Sequence, residues 1–339
     1  MQREIGRFVG VFAALLMVCG SARAQFQGGA DWDSSSGEYR GTQGAGSSGA
    51  AGPSVPAAAR NATVESLTKI LSASQLSPID RSLYLSVRAF VYSRLGREND
   101  SQKDVAEMAK VNPQGWPVVL YLMMPGLAGG GDRGAALRAL SYGLQRKPND
   151  PWLLVGQAQV QMQIADFARA LDTLDSAMVG AASAGARRNA SYFRGHANLN
   201  LGNYPQAADD FEASIAGQTT LKSRIWGALW RYAAQVRARH DARGGLAKDI
   251  GNENLYEWPG PIAKFLLGRL PAGELEVAAE SDDAAKKTNG KCMAAYFIGM
   301  DAVRRNDRQR AREQLQLAQA RCPTVSEYNW AASNELKRL

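Results

Sequence analysis

Few side chains in this sequence have the types that do chemistry, and their spacing narrows the field further. The chain has three cysteines and two histidines. Cys292 and Cys322 stand at the two ends of the helical stretch "CMAAYFIGMDAVRRNDRQRAREQLQLAQARC". Such a pair can ligate a metal, cycle as a thiol couple or close a disulfide. A metal site needs further ligands that are missing here, and a thiol couple more often takes Cys-x-x-Cys spacing. His196 and His240 belong to no His-Glu-x-x-His motif, and no Gly-x-Ser-x-Gly occurs. Without a second ligand candidate, His196 reads as a groove or core histidine before it reads as a metal ligand. The glycine-rich "AGGGDRG" (Ala128 to Gly134) joins two predicted helices instead of following a strand, which makes it an inter-helix turn and not a phosphate loop. In "DWDSSSGEYRGT" (Asp31 to Thr42) the glycine falls one place late for a calcium loop, and Thr42 replaces the closing glutamate. We therefore expect no catalytic residues, no cofactor and no metal.

Compartment bears on the cysteines. Arg3 and Arg7 precede an apolar run, Phe8 to Val18, and Ala22-Arg23-Ala24 has the small-x-small form of a cleavage site. This predicts a signal peptide over residues 1–24, an exported chain, and a soluble protein of the bacterial periplasm. Cys19 allows a lipid anchor only if a lipobox is granted, and Val18 before it argues against one. Membrane association is expected only in that case. The net charge of +8 becomes milder once Arg3, Arg7, Arg23 and Glu4 leave with the leader. A solvated mixed-charge surface is the expectation, and nucleic acid is not an expected partner.

Stepping outward to the elements, residues 25–60 are rich in Gly, Ser and Ala and carry Pro53 and Pro56, the composition of a disordered linker. Residues 61–339 read as helix throughout, and they repeat. "LNLGNYPQAADDFEASI" has Gly202, Tyr204, Ala207 and Phe211; "QIADFARALDTLDSA" has Phe167, Ala170 and Leu174 in the matching places. Ala136, Leu140 and Pro148, then Gly96, Val105 and Pro113, then Gly299, Ala311, Leu315 and Pro323 continue the pattern. The period resembles the tetratricopeptide repeat, a helix-turn-helix unit of roughly 34 residues. Small residues such as Ala158, Gly195 and Gly299 let paired helices approach, and each hairpin leaves an apolar face that the next must cover. The predicted fold is all-α, a TPR superhelix (α-solenoid) of stacked helical hairpins. Repeats are expected near 82–115, 117–150, 151–184 and 188–221. Degenerate hairpins over 222–290, a last repeat at 292–325 and a C-terminal helix at 325–339 complete it. In "KSRIWGALWRYAAQVRARH", Trp226 and Trp230 are expected to pack between repeats, with Arg231, Arg237 and Arg239 on the solvated side.

The order of segments adds a resemblance. "TKILSASQLSPIDRSLYLSVRAFVYSRLG", "EWPGPIAKFLLGRL", "AAYFIGMDAVRRNDRQRAREQLQLAQA" and "SEYNWAASNELKRL" follow one another as in NlpI-type tetratricopeptide-repeat proteins of the bacterial envelope. The similarity runs from about Ala62 to Leu339. It implies a non-enzymatic adaptor that dimerises and holds peptidoglycan hydrolases and an envelope protease together. An accessory protein of a secretion or polysaccharide-export system is the alternative. Asn306-Asp307 stands where Gly-Asp is usual, which Asn tolerates because it accepts left-handed backbone angles.

An adaptor of this kind binds along the first helices of its repeats. On the predicted register these present Arg94, Gln159, Gln163, Tyr192, His196, Asn200 and Arg304, amides and arginines with an aromatic that suit an extended peptide or an acidic tail. The two helices of the last repeat run antiparallel, so Cys292 and Cys322 become neighbours. In an oxidising compartment that predicts a disulfide worth roughly 3 kcal/mol in the chain-entropy account.

Overall fold

The computed structural model describes residues 31–33, 38–40, 57–72, 75–251 and 253–339. The predicted leader, with Cys19, lies outside the described residues, as does most of the predicted linker. Within that linker two short strands, β1 (Asp31–Asp33) and β2 (Glu38–Arg40), pair antiparallel with Asp31 opposite Arg40. They fall on the stretch rejected above as a calcium loop. The other regular elements are helices, and the first begins at Ala57, inside the expected linker.

The chain divides into two compact units, with Gly49–Ala181 in the first and Ala182–Leu339 in the second. The first unit holds α1 (Ala57–Leu71) and three hairpins: α2 (Pro78–Arg94) with α3 (Glu98–Val111), α4 (Trp116–Gly129) with α5 (Arg133–Arg146), and α6 (Pro151–Gln163) with α7 (Phe167–Gly180). The second holds α8 (Ala184–Leu201) with α9 (Tyr204–Ile215), α10 (Leu221–Ala238) with α11 (Ala242–Ile250), α12 (Gly260–Leu266) with α13 (Ala272–Ala278), and α14 (Ala284–Arg304) with α15 (Arg308–Arg321), then α16 (Glu327–Arg338). The chain is thus a set of stacked helical hairpins within each unit.

One local device closes each hairpin. The turn between its two helices carries a residue at positive φ: Gly96, Gly131, Ala165, Gly202, Arg239, Gly268 and Asn306. A polar N-cap follows directly in several: Asp132, Asp166 and Asp307 each accept from a backbone N–H three residues on. Left-handed residue plus aspartate cap stops one helix and starts the next. The stretch over 222–290, where the consensus lapses, follows Arg239 two residues later with the cap Asp241, whereas its Gly268 leads to Pro271, which gives no side-chain cap. Its two proline-opened helices, α12 and α13, are short because only seven residues separate start from stop in each.

Helix pairing rests on small residues at the crossings. A Cβ on Gly195 would sit 2.8 Å from the Phe211 ring, and one on Gly299 would sit 2.9 Å from Leu315 Cγ. Ala158, Ala170, Ala207 and Ala311 are fully buried. Each unit has its own apolar core, around Phe90, Met108, Leu120, Met124 and Leu140 in the first and around Phe211, Trp230, Tyr296 and Phe297 in the second. Two hairpins add an ion pair that bridges their helices at a spacing of 16 residues. Arg88 Nε and Nη2 donate to Asp104 at 2.9 and 2.7 Å, and Arg194 Nε and Nη2 donate to Asp210 at 2.8 and 2.6 Å. Burial pushes the Asp104 carboxyl up, while Arg88 opposes that rise.

The disulfide forms as expected. Cys292 in α14 and Cys322 at the end of α15 are bonded, with their Cα atoms 4.9 Å apart. Among the described residues no helix is long and apolar enough to cross a membrane.

Candidate functional site

The seven expected groove residues divide between the two units. In the first, Arg94 is tied into its surroundings: its Nε lies 3.5 Å from Asp132 and its guanidinium sits over the Phe90 ring. Its carbonyl accepts from Arg60. Gln163 Nε2 donates to the carbonyl of Pro125 at 2.9 Å, so this side chain links α6 to α4. Gln159, one turn earlier on α6, is half-buried. Gln159 and Gln163 therefore share one stripe of α6, beside a Tyr121–Trp152 ring contact at 5.2 Å that also joins α4 to α6.

In the second unit the expectation needs correction. Tyr192, His196 and Asn200 follow one another down α8, yet all three are buried. His196 is only 1 % exposed and lies within an aromatic cage, with ring centroids 4.7 Å from Tyr192, 5.1 Å from Phe211 and 4.5 Å from Trp230. Neither of its ring nitrogens has a hydrogen-bond partner. Burial alone lowers its pKa to about 3. It is a neutral core side chain. Arg304 is also engaged, with Nε and Nη2 both 2.9 Å from Asp301 Oδ1.

The reason for this burial is α16. The C-terminal helix packs on α15 and also reaches α8, α10 and α14, the first helices of their hairpins. The Tyr328 ring centroid lies 4.8 Å from that of Trp230, tilted, and 5.7 Å from that of Tyr296, edge-on. Asn334 Nδ2 donates to Asn200 Oδ1 at 2.8 Å, and Arg338 Nη2 donates to the Asn200 carbonyl at 2.7 Å. Glu335, 2 % exposed, is held by Arg237 of α10 at 3.2 Å and by Arg338 at 3.2 Å. Both guanidiniums also lie over the ring of Tyr204. Burial pushes the Glu335 carboxyl up, and the two arginines oppose that shift. The face expected to stand open in this unit is thus occupied by a helix of the same chain.

Two of three further side chains depart from their expected places. Arg231 is buried and bonds both oxygens of Asp249, at 2.7 and 2.9 Å, with Glu212 3.0 Å away. Arg237 pairs with Glu335 as above. Only Arg239 of the three stays exposed. Trp230 is fully buried and Trp226 packs at the edge of the same core, as expected for inter-repeat packing. Sequence reasoning missed the cluster around Asp301 and the seat of α16. The i,i+16 Arg–Asp spacing was visible in the sequence, but no local pattern pairs Asn200 with Asn334. Among the described residues no group of three or more His, Cys, Asp or Glu is arranged to hold a metal ion.

No known family description matches the chain, and no curated protein matches it. Solved structures that it resembles include the following two. A tetratricopeptide repeat protein from Parabacteroides merdae ATCC 43184 aligns at 14 % identity and TM-score 0.39, over 75 % of this chain and 99 % of that one. The C-terminal part of a TPR repeat-containing protein from Cytophaga hutchinsonii aligns at 17 % identity and TM-score 0.37, over 79 % of this chain and 93 % of that one. At this level of superposition the likeness carries no functional argument.

Proposed function

We propose that this chain is a non-enzymatic adaptor that binds partner proteins on the first-helix faces of its hairpins. The observation that carries the reading is the seat of α16. In the second unit α8, α10 and α14 together hold an amphipathic helix through the rings of Trp230 and Tyr296, the Asn200 amide and carbonyl, and Arg237 on the helix's buried Glu335. Helix-in-groove recognition uses the same elements: ring surfaces for area, and a few charge-assisted bonds for register. In the first unit the corresponding candidates are Arg94, Gln159 and Gln163, on α2 and α6. The order of sequence segments supports an envelope setting, in which peptidoglycan hydrolases and a periplasmic protease would be the partners, and homodimerisation would be part of the assembly.

The test is affinity capture from envelope extract with three forms of the full chain. Glu335→Ala loosens α16 and should raise partner recovery from the second unit's face. Gln159→Ala with Gln163→Ala should lower recovery at the first unit. Recovery that responds to neither change would sink the assignment of binding to these faces.

A further inference from the structure

The second unit gathers positive charge at the edge where its hairpins turn. Asp301, in the last turn of α14, is buried, its side chain 5 % exposed, and it faces three guanidiniums. Arg304 Nε and Nη2 lie 2.9 Å from its Oδ1, Arg305 Nε lies 3.0 Å from its Oδ2, and Arg243 Nη2 lies 3.8 Å from Oδ1. Tyr232 Oη donates to Oδ1 as well, at 3.2 Å. Arg243 also ties the edge together, because its Nε donates to the Leu266 carbonyl in the last turn of α12, at 3.0 Å. The side chains of Arg243, Arg304 and Arg305 remain 43 %, 27 % and 45 % exposed.

A single arginine neutralises a buried aspartate. Three on one carboxylate leave two positive charges over and hold like charges close together, an arrangement that costs free energy until a further anion arrives. The other nearby acids among the described residues offset part of this charge but make no ion pair with Arg243 or Arg305. Asp241 and Asp307 cap helices, accepting from the backbone N–H groups of Gly244 and Arg310. The same turns add Arg239, Arg269 and Arg308, all exposed. Arg305 reaches Asp301 through Nε and Arg243 stands at 3.8 Å, so most of their donors are not used on Asp301.

We infer that this edge, built on Arg243, Arg304 and Arg305 around Asp301, binds a segment of a partner protein that carries two neighbouring carboxylates. Planar guanidinium forks match carboxylates in bidentate geometry, and Asp301 already occupies one such position. The three guanidiniums that converge on Asp301 form a compact cluster, which fits an acidic pair better than the repeated phosphates of a polymer. The inference rests on the adaptor reading and names the chemistry of one partner.

The experiment is fluorescence anisotropy with the full chain and a short, labelled Glu-rich peptide. The Gln counterpart of that peptide and a labelled single-stranded oligonucleotide serve as controls. The acidic peptide should bind, the Gln peptide should bind roughly tenfold more weakly or worse, and added salt should weaken the acidic complex. Arg243→Gln with Arg305→Gln should lower affinity roughly tenfold while leaving the Arg304–Asp301 pair in place. Helical circular dichroism checks the fold of that variant, and Arg305→Gln alone repeats the test with the smallest structural change. Equal binding of the two peptides, or of wild type and the folded variants, would overturn the inference. Preference for the oligonucleotide would overturn it too, in favour of an anionic polymer. If capture of partners still responds to Glu335→Ala or to the glutamine variants while the acidic peptide does not bind, the adaptor reading stands and only this site falls.

Discussion

His196 shows how burial changes what a residue can do. Its ring is caged by Tyr192, Phe211 and Trp230 with both nitrogens unpartnered, and its pKa drops from 6.5 to about 3. Between those values the unfolded chain binds a proton that the folded chain refuses. Stability is therefore fully retained above 6.5 and falls as pH drops towards 3, by up to about 1.4 kcal/mol per pH unit. Urea midpoints measured from pH 7.5 downward should show this slope, and His196→Leu should remove the histidine's share of it. Ala165 offers a second test at this scale. It holds φ 60° in the α6–α7 turn, where the equivalent turns of α2–α3, α4–α5 and α8–α9 use glycine. The left-handed conformation costs a side chain about 1–2 kcal/mol, of which the greater chain entropy of glycine offsets part. Ala165→Gly should raise unfolding free energy by roughly 0.5–1 kcal/mol, read by denaturant titration. The left-handed turn at Asn306-Asp307 was legible in the sequence because Asn accepts those angles, whereas the one at Ala165-Asp166 was not, because alanine has no such preference. Whether His196 belongs to the groove or to the core was not legible either, since one polar residue on a helix face gives no sign of what will cover it.

At the scale of elements, the last hairpin and the helix after it belong together. The Cys292–Cys322 bond joins the third turn of α14, which starts at Ala284 and so earlier than expected, to the end of α15, and α16 begins five residues later. Asn329 Nδ2 donates to the carbonyls of Gln319 and Cys322, so the first turn of α16 is fixed to the stapled end. Replacing both cysteines by serine should lower stability by about 3 kcal/mol in the chain-entropy account, seen as a lower melting midpoint. Because the staple sits where α16 starts, hydrogen exchange over residues 327–338 should quicken in the same variant. Exchange that speeds up only in α14 and α15 would show α16 to be held by its own seat alone. Pairing of helices within a hairpin was readable from Gly195, Ala207, Gly299 and Ala311, since small residues at a crossing are a local signal. The docking of α16 on α8 was not, because it depends on contacts such as Asn334 with Asn200, separated by more than a hundred residues.

For the whole molecule, the adaptor reading predicts binding without turnover. Purified chain should release no fragments from peptidoglycan or from a general protease substrate, as judged by chromatography and gel. A hydrolytic activity that a single point substitution abolishes would overturn the non-enzymatic reading. By itself the sequence determined the helical character, the hairpin period, the small residues at the crossings and the cysteine pair. All of these follow from interactions between residues within about one repeat of each other, where spacing along the chain dictates spacing in space. Only the tertiary structure decided which first-helix faces are covered, that Arg237 turns inward to Glu335, and that Arg243 joins Arg304 and Arg305 at Asp301. Those outcomes depend on which distant carboxylate or ring arrives opposite a given side chain, and periodicity carries no record of that.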